Sequence, residues 1–171
     1  MLSHMRNNPL ARKNGIILIA CGDCDKSDEL IEYERSLFLK SEKQPRIHLL
    51  MLNGGALLLH PDSPLNTNLS SSQTLLFHLK NSSQLKGIDD VVLYGHHECG
   101  AAALSRLQPR ETFLWLAKGA GYVSNMIKTL KITCNFHYEC NTDKKFKSEY
   151  FDYNAWLKLH QSVTASDAAK A

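Results

Sequence analysis

The stretch 91–103 constrains the fold of this chain more than any other part of the sequence. It begins with the apolar residues of a buried strand (91–94), passes through a glycine turn, and continues into small residues that favour a helix from Gly100. His96 and Cys99 lie at this junction between strand and helix. Open α/β folds place their functional sites at the carboxyl edge of a parallel sheet. The stretch therefore predicts a site at the end of this strand.

Strands and helices alternate along the rest of the chain. The run Ile16–Ala20 is continuous and rich in β-branched residues, which is typical of a strand buried on both faces. The pattern predicts an α/β fold, with a central parallel sheet of about four strands in the order 2-1-3-4, flanking helices and an antiparallel edge strand. The other predicted elements are strands at His48–Leu52, Ile132–Glu139 and Phe146–Phe151 (the last after a hairpin turn at 141–144) and helices at Ser27–Lys40, Gln73–Lys86 and Glu111–Leu130.

Length and composition indicate one globular domain. The chain has 171 residues, of which 43% are hydrophobic, enough for a sizeable core. We expect a single domain over residues 15–160, a flexible N-terminal segment (1–14) and a flexible tail (161–171). A net charge of +3 is too small to favour a nucleic-acid partner. No apolar run approaches the roughly 20 residues that span a bilayer, so we expect no membrane partner and a cytoplasmic location.

Three residues from distant parts of the chain form a predicted metal site. In the expected strand order the first and third strands are neighbours, so Cys21 at the end of one meets His96 at the end of the other. With Cys99 they form a Cys2His set, whose soft thiolates and imidazole suit tetrahedral Zn2+. Three protein ligands leave one position for water, the pattern of catalytic zinc. The alternative is a buried pair of thiols beside a structural histidine.

The motifs around these residues resemble those of β-class carbonic anhydrases. That family carries Cys-x-Asp-x-Arg after its first strand, an Asn-Ala-Gly-like turn after the second, and Gly-His-x-x-Cys-Gly after the third. The corresponding stretches here are Cys21-Gly22-Asp23-Cys24-Asp25, Asn53-Gly54-Gly55 and Gly95-His96-His97-Glu98-Cys99-Gly100. The resemblance covers roughly residues 15–151, and the third motif is the most specific.

The resemblance implies both an activity and an assembly. Zinc held by Cys21, His96 and Cys99 would support a carbonate dehydratase (a lyase) that interconverts CO2 and bicarbonate through a zinc-bound hydroxide, with Asp23 orienting the water. A small-molecule substrate and a homodimer or higher homo-oligomer are also implied.

The sequence departs from the family at Asp25, which stands where the family has arginine. That arginine holds the aspartate, here Asp23, away from the metal, and Lys26 or Arg35 are the candidates to replace it. Asp23 therefore has three interpretations: the group that orients water, a fourth zinc ligand, or a helix cap. A closed site would give a zinc-binding relative without hydratase activity and with a structural or regulatory role. Hydrolysis of a related small substrate such as COS or CS2 is another alternative.

Cys24 also allows several interpretations. With Cys21 it forms a Cys-x-x-Cys pair, which favours redox chemistry in some proteins. It could instead complete a closed Cys3His zinc site, or fill a position where the family has a small side chain. We expect His97 to point away from the metal, and we interpret His137 as an ordinary histidine.

Overall fold

The computed structural model describes residues 5–6, 15–38, 46–67, 70–139 and 146–158. The predicted hairpin turn at 141–144 and tail at 161–171 lie outside these ranges, as does the N-terminal segment apart from Met5 and Arg6. The side chains of Cys24 and Asp25 are also outside the described part, although their backbone belongs to a helix. The predictions for these segments and side chains therefore stay predictions.

One sheet runs through the molecule, and its strand order is the predicted one. The described strands are β1 (Met5–Arg6), β2 (Ile16–Cys21), β3 (Ile47–Leu52), β4 (Asp90–His96), β5 (Lys131–Glu139) and β6 (Phe146–Phe151), arranged β1-β6-β5-β4-β2-β3. The four strands β3, β2, β4 and β5 are parallel, and β6 is antiparallel to β5. The α/β prediction and the order 2-1-3-4 are thus confirmed. The two-residue β1 was not predicted, and it pairs with the outer side of β6.

Helices cover both faces of this sheet. They are α1 (Cys24–Ser36), α2 (Ser71–Lys86), α3 (Gly100–Leu104), α4 (Pro109–Met126) and α5 (residues 153–158), with a 3-10 helix at Gly55–Leu58. In the described ranges, no helix has the combination of length and apolar character that crossing a membrane requires.

Helix α1 begins three residues earlier than predicted. The backbone carbonyl of Asp23 accepts hydrogen bonds from the N–H groups of Lys26 (3.2 Å) and Ser27 (3.0 Å), so the helix starts directly after Asp23. Aspartate is among the residues preferred immediately before a helix, which favours this start over the predicted one at Ser27. The early start leaves only two residues between the end of β2 and the start of α1.

The central strand β2 is buried on both faces, as its composition predicted. Alternate residues such as Ile17 and Ile19 pack with α2 and α4 on one face. Ile16, Leu18 and Ala20 pack with Leu30 of α1 on the other. Covering both faces excludes water from the backbone hydrogen bonds of the parallel strands.

A buried polar cluster fixes α1 to the sheet. The Tyr94 hydroxyl donates to Oε1 of Glu34 (2.6 Å), and Nδ2 of Asn135 lies 3.1 Å from the same oxygen. Asn135 Nδ2 also donates to the Tyr94 hydroxyl oxygen over 2.9 Å. Tyr94 and Asn135 are paired in the register of β4 and β5, so both reach the same face. Burial, followed by the charge of Glu34, raises the pKa of Tyr94 well above its ordinary value.

Candidate metal centre

Three side chains converge where β2 and β4 end side by side. Cys21 is the last residue of β2, His96 is the last residue of β4, and Cys99 immediately precedes α3. Their sulfur and ring nitrogen atoms all lie within 4.8 Å of one another. The three residues are 7%, 3% and 4% exposed, respectively. The structure thus brings together the Cys2His set that the sequence singled out.

The backbone sets the tautomer of His96. Its Nδ1 lies 3.1 Å from the carbonyl oxygen of His97. A carbonyl only accepts hydrogen bonds, so Nδ1 carries the proton and the lone pair is on Nε2. Nε2 is buried, and no described residue offers it a hydrogen-bond partner. A buried lone pair beside two sulfurs fits a metal ligand, and the Nδ1–H bond to a carbonyl is the usual support for a ligating histidine.

One of the two thiols loses its proton at a much lower pH than the other. The sulfurs of Cys21 and Cys99 lie 3.9 Å apart, within hydrogen-bonding reach for sulfur. The bond with Cys21, helped by the backbone amides of Ala102 and Ala101, lowers the pKa of Cys99 to about 6. The bond with Cys99, followed by burial, raises the pKa of Cys21 to about 12. Cys99 is therefore the first thiolate, and its charge keeps the proton on Cys21.

The donor set matches the chemistry of zinc. Two thiolates and a neutral imidazole bring Zn2+ to zero net charge, so a buried ion would not be left uncompensated. His96 supplies the imidazole. Burial acts to lower its pKa, but the Cys21 sulfur, the His97 carbonyl and the Asp23 charge together raise the pKa above its ordinary value. The two cysteines and His96 approach one another from separate backbone elements, so the fold itself brings the three donors together.

Asp23 lies next to this set without joining it. The group of ligand atoms within 4.8 Å of one another comprises Cys21, His96 and Cys99. The Asp23 charge nevertheless acts on the site, because it contributes to the raised pKa of His96 and opposes the lowering of the pKa of Cys99. Its backbone carbonyl accepts the first hydrogen bonds of α1. Its predicted role as a helix cap through the side chain stays a prediction. Its roles in orienting water or binding metal stay predictions.

The turn between His96 and Cys99 carries an unusual backbone conformation. Glu98 has a φ of 60°, in the left-handed region that costs a non-glycine residue about 1–3 kcal/mol. The turn is held by the N–H of His97, which donates to the carbonyl of His137 over 2.9 Å. The His97 side chain is exposed. The strained turn gives His96 and Cys99 the separation at which both face Cys21.

A small cavity adjoins the site on the side of α3 and α4. Its volume is about 160 Å³, and His96 and Cys99 are part of its wall. The rest of the lining combines polar groups of the 97–98 turn with apolar side chains of the sheet and helices: His97, Glu98, Ala102, Ala103, Leu107, Pro109, Thr112 and Phe136. The cavity has room for a molecule of a few heavy atoms.

Sequence reasoning missed the surroundings of His137. This residue pairs with His96 in the β4–β5 register and is 3% exposed. Its Nε2 lies 3.1 Å from Oε2 of Glu29, and because a carboxylate accepts hydrogen bonds, Nε2 carries the ring proton. Nδ1 then accepts a hydrogen bond from the Ser148 hydroxyl over 2.9 Å. Burial lowers the pKa of His137, although Glu29 acts in the opposite direction. The polar residues at alternate positions of β5 (Thr133, Asn135, His137) were the available signal, because they mark one polar face of the strand.

Comparisons with known proteins return β-carbonic anhydrases among solved structures. A comparison with protein-family models finds no match, and neither does a comparison with curated proteins. Among solved structures, CafA of the fungal pathogen Aspergillus fumigatus matches with 12% identity and a TM-score of 0.43, over 83% of this chain and 77% of CafA. CafD of the same fungus matches with 16% identity and a TM-score of 0.36, over 84% of this chain and 91% of CafD. Both are named β-carbonic anhydrases, the family that the sequence motifs resemble.

Proposed function

We propose that this chain binds one zinc ion through Cys21, His96 and Cys99 and catalyses the reversible hydration of CO2. The observation that carries the proposal is the meeting of these three buried side chains within 4.8 Å at the ends of two parallel strands. The motif resemblance to β-carbonic anhydrases supports the choice of reaction. When bound, zinc supplies a Lewis acid that makes water nucleophilic near neutral pH.

Each residue around the centre has a separate task in this proposal. Cys21, Cys99 and Nε2 of His96 hold the metal, and the carbonyl of His97 keeps the imidazole in the required tautomer. Asp23 accepts a hydrogen bond from the attacking water and so orients it toward the substrate. Its electrostatic influence on Cys99 and His96 supports this position beside the reacting atoms.

The cavity beside His96 and Cys99 is the proposed substrate chamber. A volume of about 160 Å³ is ample for CO2 or bicarbonate. The apolar part of its wall, formed by Ala102, Leu107 and Phe136, suits the uncharged CO2 molecule. The Glu98 carboxylate in the same wall disfavours retention of the bicarbonate anion and so favours product release.

One observation favours a second candidate, a zinc-binding relative without hydratase activity. Position 25 carries an aspartate where the β-carbonic anhydrase motif has arginine. In that motif the arginine keeps the aspartate's carboxylate from binding the metal, and an aspartate at position 25 has the wrong charge for this task. A fourth protein ligand would close the site and leave a structural or regulatory zinc.

The deciding experiment is stopped-flow CO2 hydration by zinc-loaded protein at pH 7.5 and pH 9. The hydratase proposal predicts activity that is lost in Cys99→Ala and kept in Cys134→Ala, a matched change at a buried cysteine outside the centre. Zinc at one per chain with no activity at either pH would support the closed relative. COS and CS2 hydrolysis is assayed on the same samples, because activity on these substrates alone would change the proposed substrate.

We propose further that the protein acts in the cytoplasm as a homodimer or a higher homo-oligomer. The motif resemblance supports the assembly, because β-carbonic anhydrases are dimers or multiples of dimers. Light scattering after size-exclusion chromatography measures the mass directly. A mass equal to the 19.3 kDa chain at micromolar concentration would contradict the proposed assembly.

A further inference from the structure

We propose that the turn Asn53-Gly54-Gly55 is a positioning element of the metal centre, in which the Gly54 N–H holds the Cys21 sulfur and reduces the negative charge that this sulfur gives to a bound metal. This role presupposes the zinc site of the proposed function. It extends that site to residues that have no metal-binding side chain.

The direct evidence is a buried hydrogen bond between backbone and sulfur. The Gly54 nitrogen lies 3.2 Å from Cys21 Sγ, although the two residues are 33 positions apart. This bond favours the thiolate, since the positive end of the N–H dipole points at the sulfur. The amide thus stabilises the form of Cys21 that binds a metal.

The bond depends on glycine at position 54. Gly54 has a φ of 88°, which side chains rarely adopt. A Cβ atom there would lie 2.5 Å from Leu65 Cδ2 and 3.5 Å from Ala101 Cβ. The Leu65 side chain could move aside for a larger residue, but the positive φ is strained for any side chain. Relief of that strain would rotate the peptide whose N–H meets the sulfur.

Gly55 presses the same turn onto the peptide that carries Cys21. A Cβ atom at Gly55 would lie 2.2 Å from the carbonyl carbon of Ala20 and 2.3 Å from the nitrogen of Cys21. These are backbone atoms of the central strand, which have no room to move. Gly22 adds a second tie, because its N–H donates to the carbonyl of Leu52 over 3.0 Å. The turn and the sulfur are therefore fixed by the same pair of strands.

The consequence for a metal is electrostatic. The positive end of an N–H dipole lowers the energy of the sulfur lone pairs, so the thiolate donates less charge and the ion stays more electrophilic. A positively charged side chain near the site is another way to keep a bound metal electrophilic. At residue 25, where the family motif has arginine, the chain has an aspartate. The backbone amide of Gly54 is built into the fold and supplies part of that effect without a charge.

The first test is NMR of protein loaded with 113Cd, which replaces zinc in thiolate sites. A 113Cd-filtered 1H–15N spectrum detects scalar coupling through an N–H···S–Cd path. We expect coupling at the Gly54 amide and none at Gly22, whose N–H donates to a carbonyl oxygen instead. Bound cadmium without coupling at Gly54 would overturn this inference alone. A protein that binds no cadmium would overturn the proposed metal site together with it.

The second test compares two glycines that both have a positive φ. Gly54→Ala disturbs the turn, whereas Gly87→Ala changes a glycine of φ 62° that ends α2 with nothing within 4 Å of the added Cβ. For Gly54→Ala we expect the sulfur-to-metal charge-transfer band of the Co2+ form to move to lower energy, and zinc affinity to fall about tenfold. For Gly87→Ala we expect neither change. A Gly54→Ala protein with the wild-type band and affinity would refute the role.

Discussion

The sulfur of Cys21 lies 3.9 Å from the sulfur of Cys99, 78 positions further along the chain. Between them they hold one proton strongly, because the pKa of Cys99 falls to about 6 while that of Cys21 rises to about 12. A metal that binds both sulfurs must displace that proton. The pair therefore couples metal binding to pH.

Zinc affinity should rise with pH over the whole neutral range. Between about pH 7 and pH 10 Cys99 is already a thiolate and Cys21 is not, so binding releases the Cys21 proton and affinity gains about tenfold per pH unit. Toward lower pH the dependence should steepen, first because His96, whose pKa is raised above 6.5, must lose a proton, and then near pH 6 because Cys99 must as well. Calorimetry in buffers of different ionisation enthalpy counts the released protons. A constant affinity from pH 7 to pH 10 would contradict the shared proton.

Removing any one of the three ligands should abolish tight zinc binding. Each single alanine variant leaves only two donors: Cys21→Ala, His96→Ala and Cys99→Ala. We expect the zinc affinity of each to fall by more than about 100-fold, which exceeds the loss usual for a substitution outside the ligands. Competition with a chromophoric chelator measures the loss. Cys134→Ala is the control, since Cys134 is a buried cysteine that does not belong to the group of three ligand atoms. Wild-type affinity in a ligand variant would exclude that residue from the centre.

Replacing Asp25 by arginine should raise CO2 hydration. If the missing family cation limits the activity, Asp25→Arg supplies that cation. We then expect kcat/KM to increase about 10- to 100-fold, the range typical of groups that support metal sites. Asp28→Arg makes the same charge change at an exposed position of α1. Equal rates in both variants and the wild type would show that the arginine is not the limiting feature.

Gly55→Ala should be strongly destabilising. The substitution combines a left-handed backbone (φ 48°) with a Cβ 2.2 Å from the Ala20 carbonyl carbon. Strain and overpacking together should lower the free energy of unfolding by about 2–4 kcal/mol. Gly87→Ala has the strain without the collision, and should cost about 1 kcal/mol. Denaturant unfolding of both variants separates the two effects. Equal losses in the free energy of unfolding would contradict a cost from the contact between the added Cβ and Ala20.

Tyr94→Phe tests the cluster that anchors α1. The change removes the hydroxyl that donates to Glu34 over 2.6 Å inside the protein. A hydrogen bond to a charged group contributes about 1.5–3 kcal/mol, so the free energy of unfolding should fall by that amount. Tyr122→Phe is the control, because its hydroxyl makes no hydrogen bond to a described residue. Similar stability of the two variants would mean that the cluster does not hold α1.

The fold was largely predictable because the apolar runs are unambiguous. Ile16–Ala20 could only be a strand buried on both faces, and its position before a helix required a parallel sheet. In a sheet with the strand order 2-1-3-4, Cys21 and His96 lie at the ends of neighbouring strands and therefore at the same edge. The start of α1 was missed because the carbonyl of Asp23 accepts from Lys26 and Ser27, a backbone bond that composition does not reveal.

The sequence by itself indicated the alternation of strands and helices and the three sulfur and imidazole donors, because hydrophobic periodicity and motif spacing are local patterns. It placed the donors at one edge only with an assumed strand order, which the structure then established. Only the tertiary structure decided how the donors are held. The tautomer of His96, the Gly54 N–H on the Cys21 sulfur and the burial of His137 beside Glu29 and Ser148 each join residues from different elements. Such contacts depend on distances of a few ångströms between distant parts of the chain, and no local pattern of residues encodes them.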